Sequence, residues 1–306
     1  DYAGNWRAGT WIGGSPGEAD PEPPRDVVLN EVAAHTDYND PARPEYDSND
    51  WIELFNLSTG AVPLDGWYLS DDPGLLRKWA IPATNVVPGK GWLTFDEVHD
   101  FHQQITRGFG LNKDGEEVYL SYLPDGSPGR VVDCIRFKGQ ENGVTLGRYP
   151  DGADWWRATA PTRGTTNAVA GDHPVIDQIM LAPPDGTNEY VVLYNPSALP
   201  VNLWTAAGTY RIDGGIGYTF PPGTTIPYRS YLLLVPFDPT NETAMAAFNS
   251  AYDAPHLPAS VYGPFEGRLS DTSERIAIEK PQLPDAAGEE ASWVVVDEVI
   301  YASSPP

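Results

Sequence analysis

Residues 51–56 read WIELFN, and residues 190–195 read YVVLYN. In the first stretch the apolar Ile52 and Leu54 alternate with Glu53. Successive side chains of a β-strand point to opposite faces of the sheet, so this alternation places Ile52 and Leu54 on one face. Each residue of the second stretch stands 139 positions after its counterpart in the first. The chain is therefore predicted to contain the same strand in two copies of one unit.

The repeat extends beyond these two strands. Val62 corresponds to Val201 at the same spacing of 139 residues. Further along the chain Val132 corresponds to Val296, where the spacing has widened to 164 residues. The widening indicates that the second copy carries insertions. These insertions fall chiefly in residues 236–264 and 281–292.

The repeat divides the chain into three parts. We predict one domain over residues 27–167 and a second, more divergent domain over residues 173–306. Residues 1–26 are polar and rich in glycine and proline, and their Trp6-Arg-Ala sequence recurs at Trp156. We therefore predict that residues 1–26 are the tail end of a preceding module plus a linker. On this interpretation the chain is a piece of a larger multi-module protein.

Composition and turn signals favour an all-β fold. Of 306 residues, 30 are glycine and 31 are proline, which is too many for a helical protein. Seven or so short strand-like runs in the first copy are separated by turn formers, such as those at residues 113–115 and 124–126. This pattern predicts an antiparallel β-sandwich. One helix is predicted, over residues 242–251 in an insertion of the second copy.

The charge of the chain excludes some partners. The formal net charge of −24 repels phosphate backbones, so we expect neither nucleic acid nor an anionic membrane as a partner. No apolar run reaches the roughly 18 residues of a membrane span, so no membrane insertion is expected. Cys134 is the only cysteine, so no intrachain disulfide forms and cysteine usage does not indicate the compartment.

Several motifs of the first copy resemble the lamin-tail domain in its bacterial form. They are LNEV at residues 29–32, DWIELFN at 50–56, GWYLSDD at 66–72 and GRYPDG at 147–152. The resemblance covers nearly all of residues 27–167. The second copy matches less completely and lacks a clean Gly-Trp-x-Leu segment, so the chain is interpreted as two tandem copies of which the second is more divergent.

The resemblance implies an immunoglobulin-like fold for each copy, and hence two tandem immunoglobulin-like antiparallel β-sandwiches. In bacteria such domains resemble accessory modules of large exported or cell-surface proteins. The family has no established catalytic residues to transfer to this chain. An extracellular or cell-surface location is therefore expected, as part of a larger protein.

An acidic stretch in the first copy suggests a metal site. Calcium takes six to eight oxygen ligands from carboxylates and carbonyls, and a segment dense in Asp and Asn supplies them. The order of these residues does not fit an EF-hand, and a solvated loop explains them as well. The candidate calcium ligands are Asp37, Asn39, Asp40, Asp47 and Asp50.

Two glutamates in predicted strands form a second candidate site. Glu31 and Glu53 lie in strand-like runs, where unpaired carboxylates are disfavoured. If the strands are neighbours, the two carboxylates repel unless they share a proton, meet an Arg or Lys, or bind a cation. A simpler alternative pairs Glu53 with a surface lysine and lets Glu31 accept hydrogen bonds from backbone amides. The corresponding residues of the second copy are Gln178 and Val192, so both acids are absent there.

Other catalytic patterns are weak. His99 and His102 have the spacing of neighbouring ligands on a helical turn, with carboxylates nearby, but a polar loop explains the pattern as well. Ten tryptophans and sixteen tyrosines serve chiefly to fill the core, and any that are exposed together would form a platform for sugars or a partner. The tryptophans of the first copy are Trp51, Trp67, Trp79, Trp92, Trp155 and Trp156.

Three functions are compatible with these residues. The first is a non-catalytic structural or interaction module, acting as a spacer, in adhesion or in binding a protein or a surface glycan. The second is an accessory module that binds carbohydrate or calcium. The third is a metal-dependent hydrolase, which would need a cleft that gathers several acids and a histidine. The first is preferred because no motif supplies a catalytic constellation and no cofactor other than calcium is suggested.

Overall fold

The computed structural model describes residues 26–102, 108–125, 129–171, 173–183, 189–252, 260–285 and 291–302. Its regular structure is 45% strand and 6% helix, which confirms the predicted all-β class. Two compact units meet in sequence at Ala170 and Gly171. No helix among the described residues is long and apolar enough to cross a membrane. The predicted module tail, with Trp6, lies outside the described residues.

The first unit contains a six-stranded sheet of order β12-β11-β10-β1-β2-β7, a four-stranded sheet of order β5-β4-β8-β9 and a small β3–β6 pair, all antiparallel. A π-helical turn follows β7. The bounds are β1 Val27–Ala33, β2 Trp51–Asn56, β3 Val62–Pro63, β4 Trp67–Ser70, β5 Trp79–Ala80, β6 Val86–Val87, β7 Trp92–Asp96, the π-helical turn Glu97–Phe101, β8 Gly115–Tyr122, β9 Arg130–Lys138, β10 Thr145–Arg148, β11 Trp156–Ala160 and β12 Ala168–Val169.

The core of the first unit contains residues of both larger sheets. Ile52 and Leu54 on β2 are fully buried in it, as the alternation predicts. Leu69 on β4 and Leu120 on β8 belong to the same cluster, together with Phe95 on β7. Complete burial of one such side chain stabilises the fold by roughly 1.5–3 kcal/mol. The opposite face of the six-stranded sheet carries the polar residues described below.

A β-bulge in β1 sets which residues face the core. The β1–β2 register shifts between Leu29 and Glu31, so Asn30 is the extra residue. Leu29 and Val32 therefore both reach the core although they are three positions apart. Glu31 points to the other face, directly opposite Glu53. An extra residue of this kind locally disrupts the ladder and re-aims the following side chains.

The second unit contains a four-stranded sheet of order β13-β14-β21-β22, a five-stranded sheet of order β23-β19-β18-β24-β25 and two small pairs, β15–β20 and β16–β17. Only β21 and β22 run parallel among its described strands. The bounds are β13 Val175–Met180, β14 Tyr190–Tyr194, β15 Val201–Asn202, β16 Trp204–Thr205, β17 Gly208–Thr209, β18 Arg211–Gly214, β19 Ile216–Thr219, β20 Thr225–Ile226, β21 Tyr231–Leu234, α1 Glu242–Tyr252, β22 Ser260–Tyr262, β23 Glu266–Gly267, β24 Ser273–Gln282 and β25 Ser292–Ala302.

The predicted helix over residues 242–251 is confirmed as α1. It begins after Asn241, whose side-chain oxygen accepts hydrogen bonds from the amides of Thr243 and Ala244, both at 3.1 Å. This arrangement satisfies amides that have no partner inside a helix. Phe248 is the buried residue of the helix.

The same side-chain hydrogen bonds recur inside each unit. The side-chain Nδ2 of Asn56 donates to the carbonyl oxygens of Gly60 at 2.7 Å and Val87 at 3.0 Å. Asn195 repeats both bonds, at 2.8 Å and 3.0 Å, with residues that also stand 139 positions later. Each asparagine therefore holds the loop after its strand against a short strand of the same unit, β6 or β20.

A second recurrence joins the first strand of each unit to its last long strand. The amide of Leu29 donates to the carboxylate of Asp133 at 2.9 Å. The amide of Ile176 donates to the carboxylate of Asp297 at 2.7 Å. The two aspartates stand 164 positions apart, which is the spacing of Val132 and Val296 in the sequence comparison.

Candidate functional site

The two candidate glutamates lie side by side on the outer face of the six-stranded sheet. Glu31 on β1 and Glu53 on β2 are direct partners in the strand register, and both are fully buried. Their Cβ atoms are therefore close neighbours across the two strands. The structure thus brings this predicted pair together beneath a covering segment.

The covering segment is residues 161–167, which connects β11 to β12 and is called the strap. Thr162 donates to Glu31 from its backbone amide at 3.2 Å and from its hydroxyl at 2.9 Å. Gly164 donates its amide to Oε2 of Glu53 at 2.6 Å. Thr145 on β10 also donates its hydroxyl to Glu31. The strap therefore supplies hydrogen-bond donors to both buried carboxylates.

Asn167 closes the strap onto the sheet. Its side-chain Nδ2 donates to the carbonyl oxygens of Arg148 at 2.8 Å and Asn30 at 3.2 Å, and its side-chain oxygen accepts from the hydroxyl of Thr162 at 2.7 Å. Gly147 lies beneath, where a Cβ atom would stand 2.7 Å from this amide nitrogen. Glycine at position 147 therefore permits the close approach of the Asn167 side chain.

Burial changes the protonation of both glutamates. It raises the pKa of Glu53 to about 7, and the charges of Glu31 and Asp151 add to the rise, while the Gly164 amide and the Asn30 side chain oppose it. Burial also raises the pKa of Glu31, against the donors of Thr145 and Thr162. The repulsion between the two carboxyl groups is therefore reduced by hydrogen bonds and by proton uptake. The hydrogen bonds of Glu53 come from Asn30, Gly164 and Thr94, and none of the described lysines forms an ion pair with it.

An ion pair lies on the other side of the same sheet. The guanidinium of Arg148 on β10 contacts both carboxylate oxygens of Asp133 on β9, at 2.8 and 3.1 Å, and both side chains are buried. Its Nε donates to the carbonyl oxygen of Leu29 at 2.6 Å, and its plane lies 4.7 Å from the ring centre of Trp156. Arg148 therefore connects β1, β9, β10 and β11 through one side chain.

In the second unit the residue that corresponds to Glu53 is covered by apolar side chains. Val192, which stands 139 positions after Glu53, packs in a cluster with Leu233, Val235 and Phe248, whereas its register partner Gln178, the counterpart of Glu31, is exposed. Phe248 belongs to α1, so a helix covers Val192 where the strap covers Glu53 in the first unit. Each cover matches its sheet chemically, with amide and hydroxyl donors over carboxylates and an aromatic side chain over valine. This match indicates that both covers serve to bury the sheet.

Several of the predicted calcium ligands accept hydrogen bonds from other residues of the first unit. Asp37 accepts from Asn142 at 2.8 Å, Asp40 accepts from the Ala42 amide at 2.8 Å, and Asp50 is buried and accepts from the Thr36 hydroxyl at 2.8 Å. Asn39 and Asp47 are exposed. Among the described residues, no three His, Cys, Asp or Glu side chains form a group that could hold a metal ion.

Calcium binding stays a prediction that thermal unfolding tests. A site that binds calcium only in the folded state stabilises it by about 2.7 kcal/mol at a hundredfold excess over Kd. The sequence prediction therefore requires a higher Tm with Ca²⁺ than with EDTA, and a loss of that difference in Asp37→Asn/Asp40→Asn. Equal Tm values with Ca²⁺ and with EDTA would contradict the predicted calcium site.

The two spaced histidines contact different carboxylates. Nδ1 of His99 lies 2.9 Å from Asp96, and Nδ1 of His102 lies 2.6 Å from Glu97. Glu97 is buried and also accepts from the hydroxyl of Ser48 at 2.8 Å. His102 is therefore paired with the first residue of the π-helical turn, and His99 is paired with the residue that precedes the turn.

Most of the described tryptophans of the first unit lie in its interior, and one is exposed in a surface groove. Trp51, Trp67 and Trp79 are buried, whereas Trp155 is 71% exposed and Tyr149 is 42% exposed. Tyr149 and Trp155 line an open groove of about 510 Å³ together with Arg157 and Val169. Tyr149 and Trp155 are thus exposed together, which is the arrangement that the sequence analysis considers as a platform for sugars or a partner.

Comparison of the chain with known family models, with curated proteins and with solved structures gave no match. The function is therefore inferred from the chain's own residues. Sequence reasoning missed the strap as part of the site. Its signal was the run of turn and hydrogen-bonding residues at Thr162, Gly164 and Asn167, which follows a strand.

Proposed function

We propose that this chain is a non-catalytic structural and interaction module of a larger exported or cell-surface protein. The proposal includes two tandem immunoglobulin-like sandwiches of the lamin-tail type, the second more divergent. The main support comes from the burial and hydrogen bonding of Glu31 and Glu53, the pair of neighbouring carboxyl groups that could otherwise act in acid–base catalysis or bind a metal ion. Both are buried, and each accepts hydrogen bonds from the strap.

A buried carboxylate that is fully engaged by its own fold supports a structural role. Catalytic acids need access to substrate, and a carboxylate that binds a metal ion needs an oxygen atom free to coordinate it. Here the amides of Thr162 and Gly164 occupy the oxygens of Glu31 and Glu53. The apolar cover over Val192, which stands where the first unit has Glu53, supports the same role, because it buries this position without a carboxylate.

A specific observation favours binding of an external partner as well. Trp155, Tyr149 and Val169 are exposed around Arg157 in one groove. Exposed apolar groups that are grouped in this way mark interaction sites more often than isolated ones do. The first unit therefore presents a recognition surface on a rigid sheet, in keeping with an accessory module.

Amide hydrogen exchange tests the structural role of the strap. If the strap is a fixed part of the fold, the amides of Thr162 and Gly164 exchange only on opening of the first unit, as strongly protected as the central amides of β2. If it is a lid over a catalytic acid pair, these two amides exchange rapidly while β2 stays protected. The second result would overturn the proposal.

A matched pair of variants gives an independent test. Asn167→Ala removes two donors from buried carbonyl groups and is expected to destabilise the first unit by about 2 kcal/mol. Thr165→Ala is the control in the same segment, because the exposed Thr165 hydroxyl contacts only the Thr162 carbonyl, and it is expected to cost less than about 0.5 kcal/mol. Urea unfolding that shows equal stability for both variants would argue for a mobile lid.

A further inference from the structure

We propose that the groove formed by Tyr149, Trp155, Arg157 and Val169 binds uronic acid units of an acidic glycan. This inference rests on the proposed function as an interaction module and names the chemical class of its ligand. The groove lies at the β10–β11 turn and the edge strand β12 of the first unit. It lies outside the buried glutamate network.

The two aromatic residues are placed together by the turn. The amide of Tyr149 donates to the carbonyl oxygen of Trp155 at 3.0 Å, so the residues stand across from each other where β10 and β11 diverge. Trp155 is the most exposed of the large hydrophobic side chains in the described part of the chain. An exposed indole ring offers a flat apolar face to the C–H face of a sugar, and its N–H remains available to a hydroxyl group.

Arg157 supplies the charge that selects an acidic ligand. The side chain is exposed, and its guanidinium makes no hydrogen bond or ion pair with the described residues. A guanidinium binds a carboxylate through two parallel hydrogen bonds, whereas a neutral sugar offers no such partner. The groove is therefore complementary to a ring that carries a carboxylate.

The base of the groove is held rigidly. The side chain of Asn30 accepts from the Gly152 amide and donates to the carboxylate of Asp151, both at 3.0 Å. The carboxylate of Asp151 also accepts a hydrogen bond from the backbone amide of Asn167 at 3.1 Å. These bonds fix the turn that carries Tyr149 and Trp155, so little conformational entropy is lost when a ligand binds.

The shape of the groove favours a glycan over an acidic peptide. Peptide side chains that contribute most to binding enter enclosed, fully desolvated pockets, and this groove is open. An extended peptide can also pair with a sheet edge, but β12 at that edge contains only Ala168 and Val169. Stacking on Trp155 combined with one carboxylate contact at Arg157 suits a sugar ring.

Isothermal titration of the full chain with defined oligosaccharides tests the proposal. The probes are oligomers of galacturonate, glucuronate and mannuronate, the methyl ester of the galacturonate oligomer and a hexaglutamate peptide. We expect at least one uronate oligomer to bind and the methyl ester to bind at least about tenfold more weakly. Arg157→Gln should weaken uronate binding by a similar factor, and Trp155→Ala should abolish it.

Two variants outside the groove serve as controls. Arg136→Gln removes an exposed arginine of the first unit, and Trp204→Ala removes an exposed tryptophan of the second unit. Both should bind the uronate as the unaltered chain does, and circular dichroism should show that all variants are folded.

Several outcomes would overturn the proposal. They are no binding of any uronate oligomer, equal binding of the methyl ester, unchanged binding by Arg157→Gln, or binding of the peptide alone. Each of these leaves the hydrogen-exchange test of the strap unaffected. A failed ligand assignment is therefore distinguishable from failure of the proposed module function.

Discussion

Arg148→Met is expected to lower the free energy of unfolding of the first unit by roughly 3–5 kcal/mol, because it removes the opposite charge beside the buried carboxylate of Asp133. The substitution also removes the donor to the Leu29 carbonyl and the cation above Trp156. Methionine has a similar length and is apolar, so a cavity contributes little to the loss. Urea unfolding, followed by the signals of the first unit, measures the effect.

A double variant separates the cause from simple loss of packing. Asp133→Asn keeps an acceptor for the Leu29 amide and removes the buried charge. In the Arg148→Met background it should therefore recover part of the lost stability. The control Arg136→Gln breaks an exposed ion pair with Glu117 and should cost less than about 1 kcal/mol. If the double variant loses the sum of both single effects, the buried charge is not the cause.

The stability of the first unit is expected to fall as pH rises from about 5 to about 8. Burial raises the pKa of Glu53 to about 7 and the pKa of Asp50 to about 8, each from an ordinary value near 4. Between the ordinary and the raised pKa the folded state keeps a proton that the unfolded state has released. A folded state that binds more protons is destabilised by increasing pH. At about 1.4 kcal/mol per pKa unit, Glu53 alone contributes roughly 3 kcal/mol.

Urea unfolding at about pH 5 and about pH 8.5 measures this dependence, and variants assign it to residues. Glu53→Gln does not titrate, so it should reduce the loss of stability between the two pH values, whatever its effect at either one. Asp125→Asn replaces a fully exposed carboxylate and should leave the loss unchanged. A stability that increases over this range, or an equal loss in Glu53→Gln, would contradict the assignment.

The candidate site was only partly predictable from the sequence. The polar character of Glu31 and Glu53 inside strands marked them as a pair, and the register of β1 and β2 places them in contact. The donors that satisfy them were not apparent, because Thr162 is 131 positions from Glu31 and Gly164 is 111 positions from Glu53. Propensity and periodicity are local signals and do not indicate which distant amide reaches a buried carboxylate.

The groove shows the same division. The sequence shows that Trp155 and Trp156 are adjacent aromatic residues, and alternation sends neighbouring strand residues to opposite faces. Only the folded chain shows that Trp156 packs against Arg148 while Trp155 is exposed near Arg157. The difference depends on where β11 begins, because that point sets the side on which each ring lies.

The sequence by itself determined the all-β class, the principal strands and the helix in the second unit, because alternating apolar residues and turn formers act over a few neighbouring positions. The tertiary structure alone decided the bulge at Asn30, the strap over Glu31 and the exposure of Arg157 beside Trp155. Each of these depends on hydrogen bonds or on exposure created when segments more than a hundred residues apart, or neighbouring strands, come together. Burial and pairing are properties of the assembled sheets, so no short stretch of the chain contains them.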